Sequence, residues 1–337
     1  MKRKNLTFII NKPKDSYIDN GHHKDFDNMR FFADKNGIKV ENINLSFLNL
    51  KKLWKIFTLF YIKREERIII GPIFRVPFLV FFPFRKPLFI YIADSPLKTS
   101  ITANKNLLKY FISIFYNMLL ERLIRSDFKI VVSPQERIWF SSKLDSLHKT
   151  IILPPIPYLL SDHNQNKSAI KDYDILFYNP RGGGINLMIE IINNLKLKSK
   201  KELKIVILGK LNRDEIKLEE KENKLQISHK EWYPNINLLI KKAKCVIITD
   251  IGGSGFCNRA MQVRYLGSTL FSTIDGLRGT NLHADKGVII CNSANEFVNI
   301  FMQYINNQKN FYIPSKESEQ YTSEATTKLK KFIANLH

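Results

Sequence analysis

The sequence CVIITDIGGSGFCNRAMQVRYLGSTLFST, residues 245–273, passes from an apolar run through a glycine-rich turn to a helical pattern. Cys245–Thr249 is rich in β-branched residues, which predicts a buried strand. Glycines 252, 253 and 255 predict a tight turn, and a helix is predicted from about Asn258 to Tyr265. Thr269–Ser272 is predicted to be the next strand. This order indicates a βαβ unit of a parallel sheet.

The same alternation continues on both sides of this segment. Upstream, predicted strands at Ile175–Tyr178 and Lys204–Leu208 flank a predicted helix at Asn186–Leu195. Nearer the N-terminus, Leu6–Ile10 and Leu88–Ile92 are apolar runs of strand length. The pattern therefore predicts an α/β protein with two Rossmann-like domains, each built on a parallel sheet.

The length of 337 residues suits two domains, and 44% of the residues are apolar, enough for two cores. Prolines 154, 155 and 157 and the polar stretch Ser161–Lys171 mark the predicted boundary. We therefore predict an N-terminal domain over 1–157 and a C-terminal domain over 158–318. Residues 319–337 are predicted to form a final helix that could cross back to the first domain.

The chain is strongly basic, with a formal net charge of +22. Residues 1–157 hold 27 Lys and Arg against 13 Asp and Glu, an excess of 14, which leaves +8 for the rest. Such a charge attracts nucleic acid, an acidic bilayer or phosphorylated substrates. An AT-rich genome that inflates Lys, Asn and Ile is an equally weighted explanation. The basic, aromatic-rich segments Leu48–Lys63 and Phe74–Lys86 could touch an anionic membrane, or could pack on the sheet with their lysines in water.

Cysteine spacing and hydropathy give expectations about the compartment. Three scattered cysteines show no metal-ligand spacing, so neither a zinc site nor a disulfide framework is expected. Leu6–Ile10 is too short for a signal peptide, and charged residues and prolines interrupt Ile68–Ile92. We expect a cytoplasmic protein, with peripheral contact to the inner face of the cell membrane as a further option.

Two glycine-rich turns are candidate phosphate-binding loops. Asn179–Gly184 follows one predicted strand, and Arg181 lies before Gly182, Gly183 and Gly184. The second turn, Asp250–Phe256, is followed by Arg259 in the first turn of a predicted helix. In a parallel sheet such turns lie at the strands' carboxyl ends, where backbone N–H groups and arginines can bind a diphosphate. The alternative is that the glycines only allow tight turns between strand and helix.

The segment 245–273 resembles the signature region of glycosyltransferase family 4. Gly255, Phe256, Met261 and Gly267 have matching spacing. Further pieces also resemble the family, so the likeness extends over most of the chain: Leu119–Ser133, Ile151–Pro157, Ile175–Gly184, Ile205–Gly209 and Leu225–Ala243.

This resemblance implies the GT-B architecture, in which two Rossmann-like domains face a cleft, and a nucleotide-sugar donor held by the second domain. We expect no separate cofactor and no metal, because helix N-termini and arginines could stabilise the departing diphosphate. Ser254 and Gln262 occupy the positions of two family glutamates, of which the first contacts the sugar and the second the ribose; Gly183 lies near the place of a family lysine. The donor-binding residues implied are Arg181, Gly182, Gly183, Gly184, Gly209, Gly253, Ser254, Gly255, Phe256, Arg259 and Gln262.

Candidate acid–base residues lie in the first half of the chain. Asp94 follows a predicted strand, and His22 and His23 begin a predicted helix. An inverting transferase needs such a group to deprotonate the acceptor hydroxyl. The alternatives are an Asx turn before Pro96 for Asp94 and a solvated helix start for the histidines. Arg278 and His283 could close over the donor or lie in a plain surface loop.

The function indicated is sugar transfer from a nucleotide-sugar to a glycan or lipid-linked acceptor in lipopolysaccharide, capsule or exopolysaccharide synthesis. Because Ser254 and Gln262 replace carboxylates, a non-catalytic or partner-dependent binding protein is the second hypothesis. A nucleic-acid-binding protein is the third and rests on charge alone, since no recognition motif supports it. We therefore expect no nucleic-acid partner.

Overall fold

A computed structural model describes both halves of the chain in segments. The residues it describes are 5–10, 21–44, 50–61, 67–71, 88–92, 111, 114–115, 128–132, 149–156, 170–211, 225–253, 255–284, 287–307 and 316–336. The chain divides into two units. The first comprises Met1–His163, Ser254–Phe256 and Thr322–His337, and the second comprises Asn164–Gly253 and Cys257–Tyr321.

The first unit is built on a parallel sheet of six strands in the order β2-β1-β3-β4-β5-β6. Two helices, α1 (Gly21–Lys35) and α2 (Leu50–Tyr61), lie in the crossovers from β1 to β2 and from β2 to β3. The strands are β1 (Asn5–Ile10), β2 (Lys39–Asn44), β3 (Arg67–Gly71), β4 (Leu88–Ile92), β5 (Phe128–Val131) and β6 (Lys149–Ile152).

Aromatic side chains join helix to sheet in this unit. The ring of Phe26 on α1 makes edge-to-face contacts with Phe8 and Tyr91, with ring centroids 5.3 Å apart in both pairs. The Tyr91 hydroxyl donates a 2.5 Å hydrogen bond to the buried carboxylate of Asp25. Aromatic pairs of this geometry stabilise a core beyond the area that they bury.

The second unit is built on another parallel sheet of six strands, in the order β12-β11-β10-β7-β8-β9. Counted from β7, this is the strand order of the Rossmann fold. The strands are β7 (Tyr173–Tyr178), β8 (Leu203–Leu208), β9 (Leu225–Lys230), β10 (Ala243–Ile248), β11 (Thr269–Ser272) and β12 (Val288–Ile290).

The helices of the second half are α3 (Gly183–Lys198), α4 (Ile236–Lys242), α5 (Asn258–Tyr265), α6 (Ala294–Asn307) and α7 (Lys316–Ala334). Helices α3 and α6 pack against each other, and Phe271 contacts Phe301 of α6. The C-terminal part of α7 belongs to the first unit, where the rings of Phe332 and Phe89 pack edge to face with their centroids 5.4 Å apart. The buried face of α3 repeats with helical spacing at Gly184, Leu187, Met188, Ile191, Ile192 and Leu195. The predicted α/β class with two parallel sheets is confirmed.

The order of the second sheet reverses between β7 and β10. These two strands are neighbours, while the chain continues from β7 to β8 on one side and from β10 to β11 on the other. The connections that leave their carboxyl ends diverge at such a point, and a ligand can enter between them. Both candidate phosphate loops follow these two strands.

Candidate functional site

The first loop turns sharply between β7 and α3. Asn179 has a φ of 53° and Gly182 one of 50°, both in the left-handed region. Gly184 lies so close to the end of β10 that an added Cβ would be 2.2 Å from the carbonyl oxygen of Thr249. The N–H groups of Gly182 and Gly183 form no hydrogen bond with any described residue. They are therefore available to an anion at the positive end of the helix.

The second loop, after β10, is fastened to the segment that follows β11. The backbone N–H of Gly252 donates to Asp275 Oδ2 at 2.7 Å, and the Thr273 hydroxyl donates to the carbonyl of Asp250. Gly253 has a φ of 105°, a backbone conformation that would be strained for any residue with a side chain. The loop is therefore held in place by the neighbouring connection.

Asp250 joins two arginines from different segments. Its two carboxylate oxygens accept hydrogen bonds from Arg259 Nη2, both at 2.6 Å, and Oδ2 also accepts one from Arg278 Nη1 at 2.7 Å. Arg259 Nη1 donates in addition to the carbonyls of Tyr178 and Asn179. Arg259 thus ties the end of β7 to the end of β10, and Asp250 orients both guanidinium groups.

The electrostatics of this cluster favour ionised groups. Burial alone would raise the pKa of Asp250, but Arg259 and Arg278 outweigh it and hold that pKa below its ordinary value. The side chain of Arg181 remains accessible to solvent, although partial loss of hydration, together with repulsion from Arg259 and Arg278, lowers its pKa. Arg259 and Arg278 contact Asp250, and Arg181 interacts electrostatically with all three. These three guanidinium groups outnumber the two carboxylates of the cluster, Asp250 and Asp275, which favours an anion at the carboxyl ends of β7 and β10.

Gln262 is buried at the centre of a hydrogen-bond chain. Its Oε1 accepts from the Tyr178 hydroxyl at 2.9 Å, and its Nε2 donates to Asn237 Oδ1 at 2.8 Å. The side-chain amide thus connects β7, α4 and α5. The ribose contact that the family resemblance implies for Gln262 stays a prediction.

Two shielded polar atoms at this edge lack a hydrogen-bond partner among the described residues. They are Thr249 Oγ1, directly after β10, and Asn258 Oδ1, at the first residue of α5. Buried polar atoms are normally paired, so both are candidates to bond a ligand or an ordered water at the loops.

The structure brings together only part of the predicted site. Six of the predicted residues lie around the ends of β7 and β10: Arg181, Gly182, Gly183, Gly184, Gly253 and Arg259. Gly209 follows β8 and packs against Asn179. Gly255 is buried and Phe256 half-buried in the same turn. Asp94 and Ser254 lie outside the described residues. His22 and His23 are in the first turn of α1.

The sequence interpretation left two residues of the cluster out of its donor site. Asp250 was noted only as the first residue of a turn, although an aspartate directly after a buried strand was a signal. Arg278 was expected either to close over the donor or to lie in a surface loop. It is half-buried on Asp250, whereas His283, from the same segment, is exposed. Arg259 was expected to reach a diphosphate; the structure gives its guanidinium an internal set of partners, and the diphosphate contact stays a prediction.

Other features of the described residues concern metals, thiols and membranes. No group of three His, Cys, Asp or Glu side chains within them is arranged to hold a metal ion. Cys245, Cys257 and Cys291 are buried free thiols. Within the described residues, no helix has the length and apolarity needed to cross a membrane.

Solved structures share this fold. HepE from Anabaena, in complex with UDP and glucose, superposes with a TM-score of 0.66 at 11% identity, covering 98% of each chain. Sucrose-phosphate synthase from Thermosynechococcus elongatus gives 0.60 at 11% identity, covering 99% of this chain and 95% of its own. UDP-GlcNAc 2-epimerase from Methanocaldococcus jannaschii, in complex with UDP-GlcNAc and UDP, gives 0.50 at 10% identity, covering 96% and 99%.

The sequence matches no family profile and no curated protein. The structural likeness nevertheless assigns the chain the GT-B fold, as the sequence resemblance implied.

Proposed function

We propose that this GT-B chain is a glycosyltransferase that moves a sugar from a nucleotide-sugar donor to a glycan or lipid-linked acceptor in surface polysaccharide synthesis. One observation carries the proposal. Arg181 and the Asp250-centred pair Arg259 and Arg278 gather where the order of the second sheet reverses, beside the N–H groups that open α3.

This cluster suits the departure of a nucleoside diphosphate. When the bond from the sugar to the diphosphate breaks, negative charge grows on the leaving phosphate. Guanidinium groups and helix N–H groups that are already fixed in place stabilise that charge without reorganising. We propose that they do so without a metal. Asp94, His22 and His23 remain the candidates for deprotonating the acceptor, on the first unit.

The neighbours in complexes with UDP and a sugar support a nucleotide-sugar ligand, and UDP is the first probe to test. Isothermal titration with UDP, GDP and CMP should identify one nucleotide that binds. Arg181→Gln should weaken its binding about tenfold to a hundredfold, because a charged hydrogen bond contributes about 1.5–3 kcal/mol. Lys200→Gln removes the same charge from an exposed residue just beyond the far end of α3 and should leave the affinity unchanged.

Transfer is tested separately, with radiolabelled UDP-, GDP- and CMP-sugars and glycan or lipid-linked acceptors, in the presence of EDTA. Label must appear in the acceptor, because a GT-B chain can also be an epimerase, as in the Methanocaldococcus protein. Failure to bind any nucleotide would eliminate the proposal. Binding without transfer, in the presence of a competent acceptor, would favour the non-catalytic or partner-dependent protein that Gln262 and Ser254 suggest.

We propose in addition that the enzyme acts in the cytoplasm at the inner face of the membrane. Two observations support a membrane contact. Trp54 and Phe57 are exposed on α2 with their rings stacked 5.6 Å apart, and the first 157 residues carry a large excess of positive charge. Aromatic side chains among basic residues are typical of proteins that bind anionic bilayers.

A further inference from the structure

Arg278 reaches the candidate donor site from the segment that follows β11. It follows a single helical turn, Asp275–Leu277, directly after β11. The Thr273 hydroxyl accepts from the N–H of Gly276 at 3.0 Å and itself donates to the carbonyl of Asp250. This connection is therefore fixed to the loop after β10, and the position of Arg278 is defined.

The guanidinium of Arg278 lies over the glycine turn. Its Nη1 donates to Asp250 Oδ2 at 2.7 Å and to the carbonyl of Asp275 at 2.9 Å. A Cβ built on Gly253 would lie 3.2 Å from its Cζ and Nε atoms. A residue with a side chain at 253 would thus displace the guanidinium, and the glycine makes room for it.

Arg259 is placed differently. Its two terminal nitrogens already donate four hydrogen bonds to Asp250 and to two backbone carbonyls, and 14% of its side chain is exposed. The side chain of Arg278 is 24% exposed. Of these two arginines, Arg278 is the one that presents more surface to a ligand at the loop.

We propose that Arg278 binds the diphosphate of the donor together with Arg181, and that Asp250 and Arg259 are positioning residues that hold it there. Asp250 fixes the guanidinium of Arg278 through Nη1, and the planar fork of a guanidinium suits the oxygens of a phosphate. This inference rests on the proposed function and names the residue that recognises the diphosphate.

The test compares ligands that differ only in phosphate. The affinities of wild type, Arg278→Gln and Lys200→Gln are measured for the best of UDP, GDP and ADP, for the matching monophosphate, and for the nucleoside by competition. Arg278→Gln should weaken the diphosphate about tenfold to a hundredfold and leave the nucleoside within about threefold of wild type. The monophosphate shows which phosphate is contacted, and Lys200→Gln should match wild type for all three.

Two results would overturn the inference while the proposed function stands: Arg278→Gln binds the diphosphate as wild type does, or it loses nucleoside and diphosphate in parallel. If wild type binds CMP but none of the three diphosphates, the inference fails and the proposed function stands. If it binds neither these diphosphates nor CMP, the proposed function itself fails. Should Arg278→Gln not fold, Arg278→Lys carries the test, because it keeps the charge beside Asp250 and loses the fork. A loss of about fivefold or more with an unchanged circular dichroism spectrum supports the inference, and wild-type affinity contradicts it.

Discussion

Asp250 combines burial with two cationic partners, which makes it the residue on which the candidate site depends most. Only 7% of its side chain is exposed, yet its carboxylate accepts hydrogen bonds from Arg259 and Arg278. Removing one partner of a buried ion pair leaves the other charge without compensation, and this is usually more costly than the pair's net contribution to stability. The carboxylate therefore stabilises the local structure as well as the arrangement of the two guanidinium groups.

Asp250→Asn should lower the free energy of unfolding of the second unit by about 3 kcal/mol, since two half-buried guanidinium groups lose their counter-ion. Urea unfolding followed by circular dichroism, together with hydrogen exchange of peptides from β10, measures this. Asp172→Asn is the matched control, because it removes a carboxylate that pairs with Lys242 at the surface and should have no measurable effect. Equal losses in the two variants would contradict this role of Asp250.

The stability difference between wild type and Asp250→Asn should also depend on pH. The pKa of Asp250 lies below its ordinary value in the folded chain, so its contribution to stability is fully present above the unfolded pKa of about 3.9. It is lost as the pH falls from there through the lower folded pKa. The difference in unfolding free energy between wild type and Asp250→Asn should be constant above about pH 5 and shrink towards pH 3. A difference that grows on acidification would show that the sign is wrong.

Gln262 allows a second measurement on individual side chains. Gln262→Leu leaves the buried Tyr178 hydroxyl without its acceptor and should cost about 1–3 kcal/mol of unfolding free energy. Tyr178→Phe removes the donor instead. The double variant should be more stable than the sum of the two losses predicts, by about 1 kcal/mol, because neither group is then left unpaired. Strict additivity in denaturant unfolding would show that this hydrogen bond does not form.

The sequence predicts the glycines of this site better than its charges. Glycine-rich turns after apolar runs are local signals, and both turns lie at strand ends as expected. The contact between Asp250 and Arg278 joins residues 28 positions apart. It depends on β10 and β11 being neighbours, which no local pattern records. Arg259 bonds the carbonyls of Tyr178 and Asn179, and Gln262 bonds the Tyr178 hydroxyl. These contacts likewise depend on β7 lying beside β10.

At the scale of elements, α3 begins in close contact with the residue that follows β10. Gly184→Ala should cost about 2–3 kcal/mol of unfolding free energy, because the new methyl group would meet the backbone oxygen of Thr249 at 2.2 Å. Gly183→Ala is the matched control one residue earlier. Its Cβ would lie 3.5 Å from the side chain of Ile251, an ordinary contact, so we expect no loss of stability. Thermal and urea unfolding compare them, and a tolerated Gly184→Ala would show that α3 begins farther from β10.

The boundaries of elements followed the apolar runs closely in the second half. The helix predicted at Asn186–Leu195 begins earlier, at Gly183, because glycines predict a turn even where they occupy the first residues of a helix. The short run Leu225–Ser228 also predicts a strand, and in the structure β9 continues to Lys230. In the first half, residue patterns also predict helices at Asn106–Arg125 and Gln135–Leu144, which lie wholly or largely outside the described residues. Strand order was not predictable, since every parallel strand carries a similar apolar pattern.

For the whole molecule, the charge of +22 has to be reconciled with a ligand site that accounts for only a few positive charges. The excess of 14 lies in residues 1–157, a part of the chain that contributes neither of the candidate phosphate loops. On α2, Lys55 pairs with Glu41 and Lys52 donates to the carbonyl of Asn44, so part of the local charge is already bound by the protein. The exposed Trp54 and Phe57 are better evidence for a surface that meets a bilayer.

The protein should therefore bind vesicles that contain about one third phosphatidylglycerol and release them as salt rises, because screening weakens attraction to anionic headgroups. Replacing Trp54 and Phe57 together by Ser should weaken binding roughly tenfold, since burial of apolar surface contributes about 25 cal/mol per Å². Trp232→Ser, an exposed tryptophan of the second unit, is the control and should bind as wild type does. Vesicle co-sedimentation gives the affinities. If the double Ser variant binds like wild type, α2 is not the membrane contact. If phosphatidylcholine vesicles bind equally well, the excess positive charge has another partner, and the acceptor need not be lipid-linked.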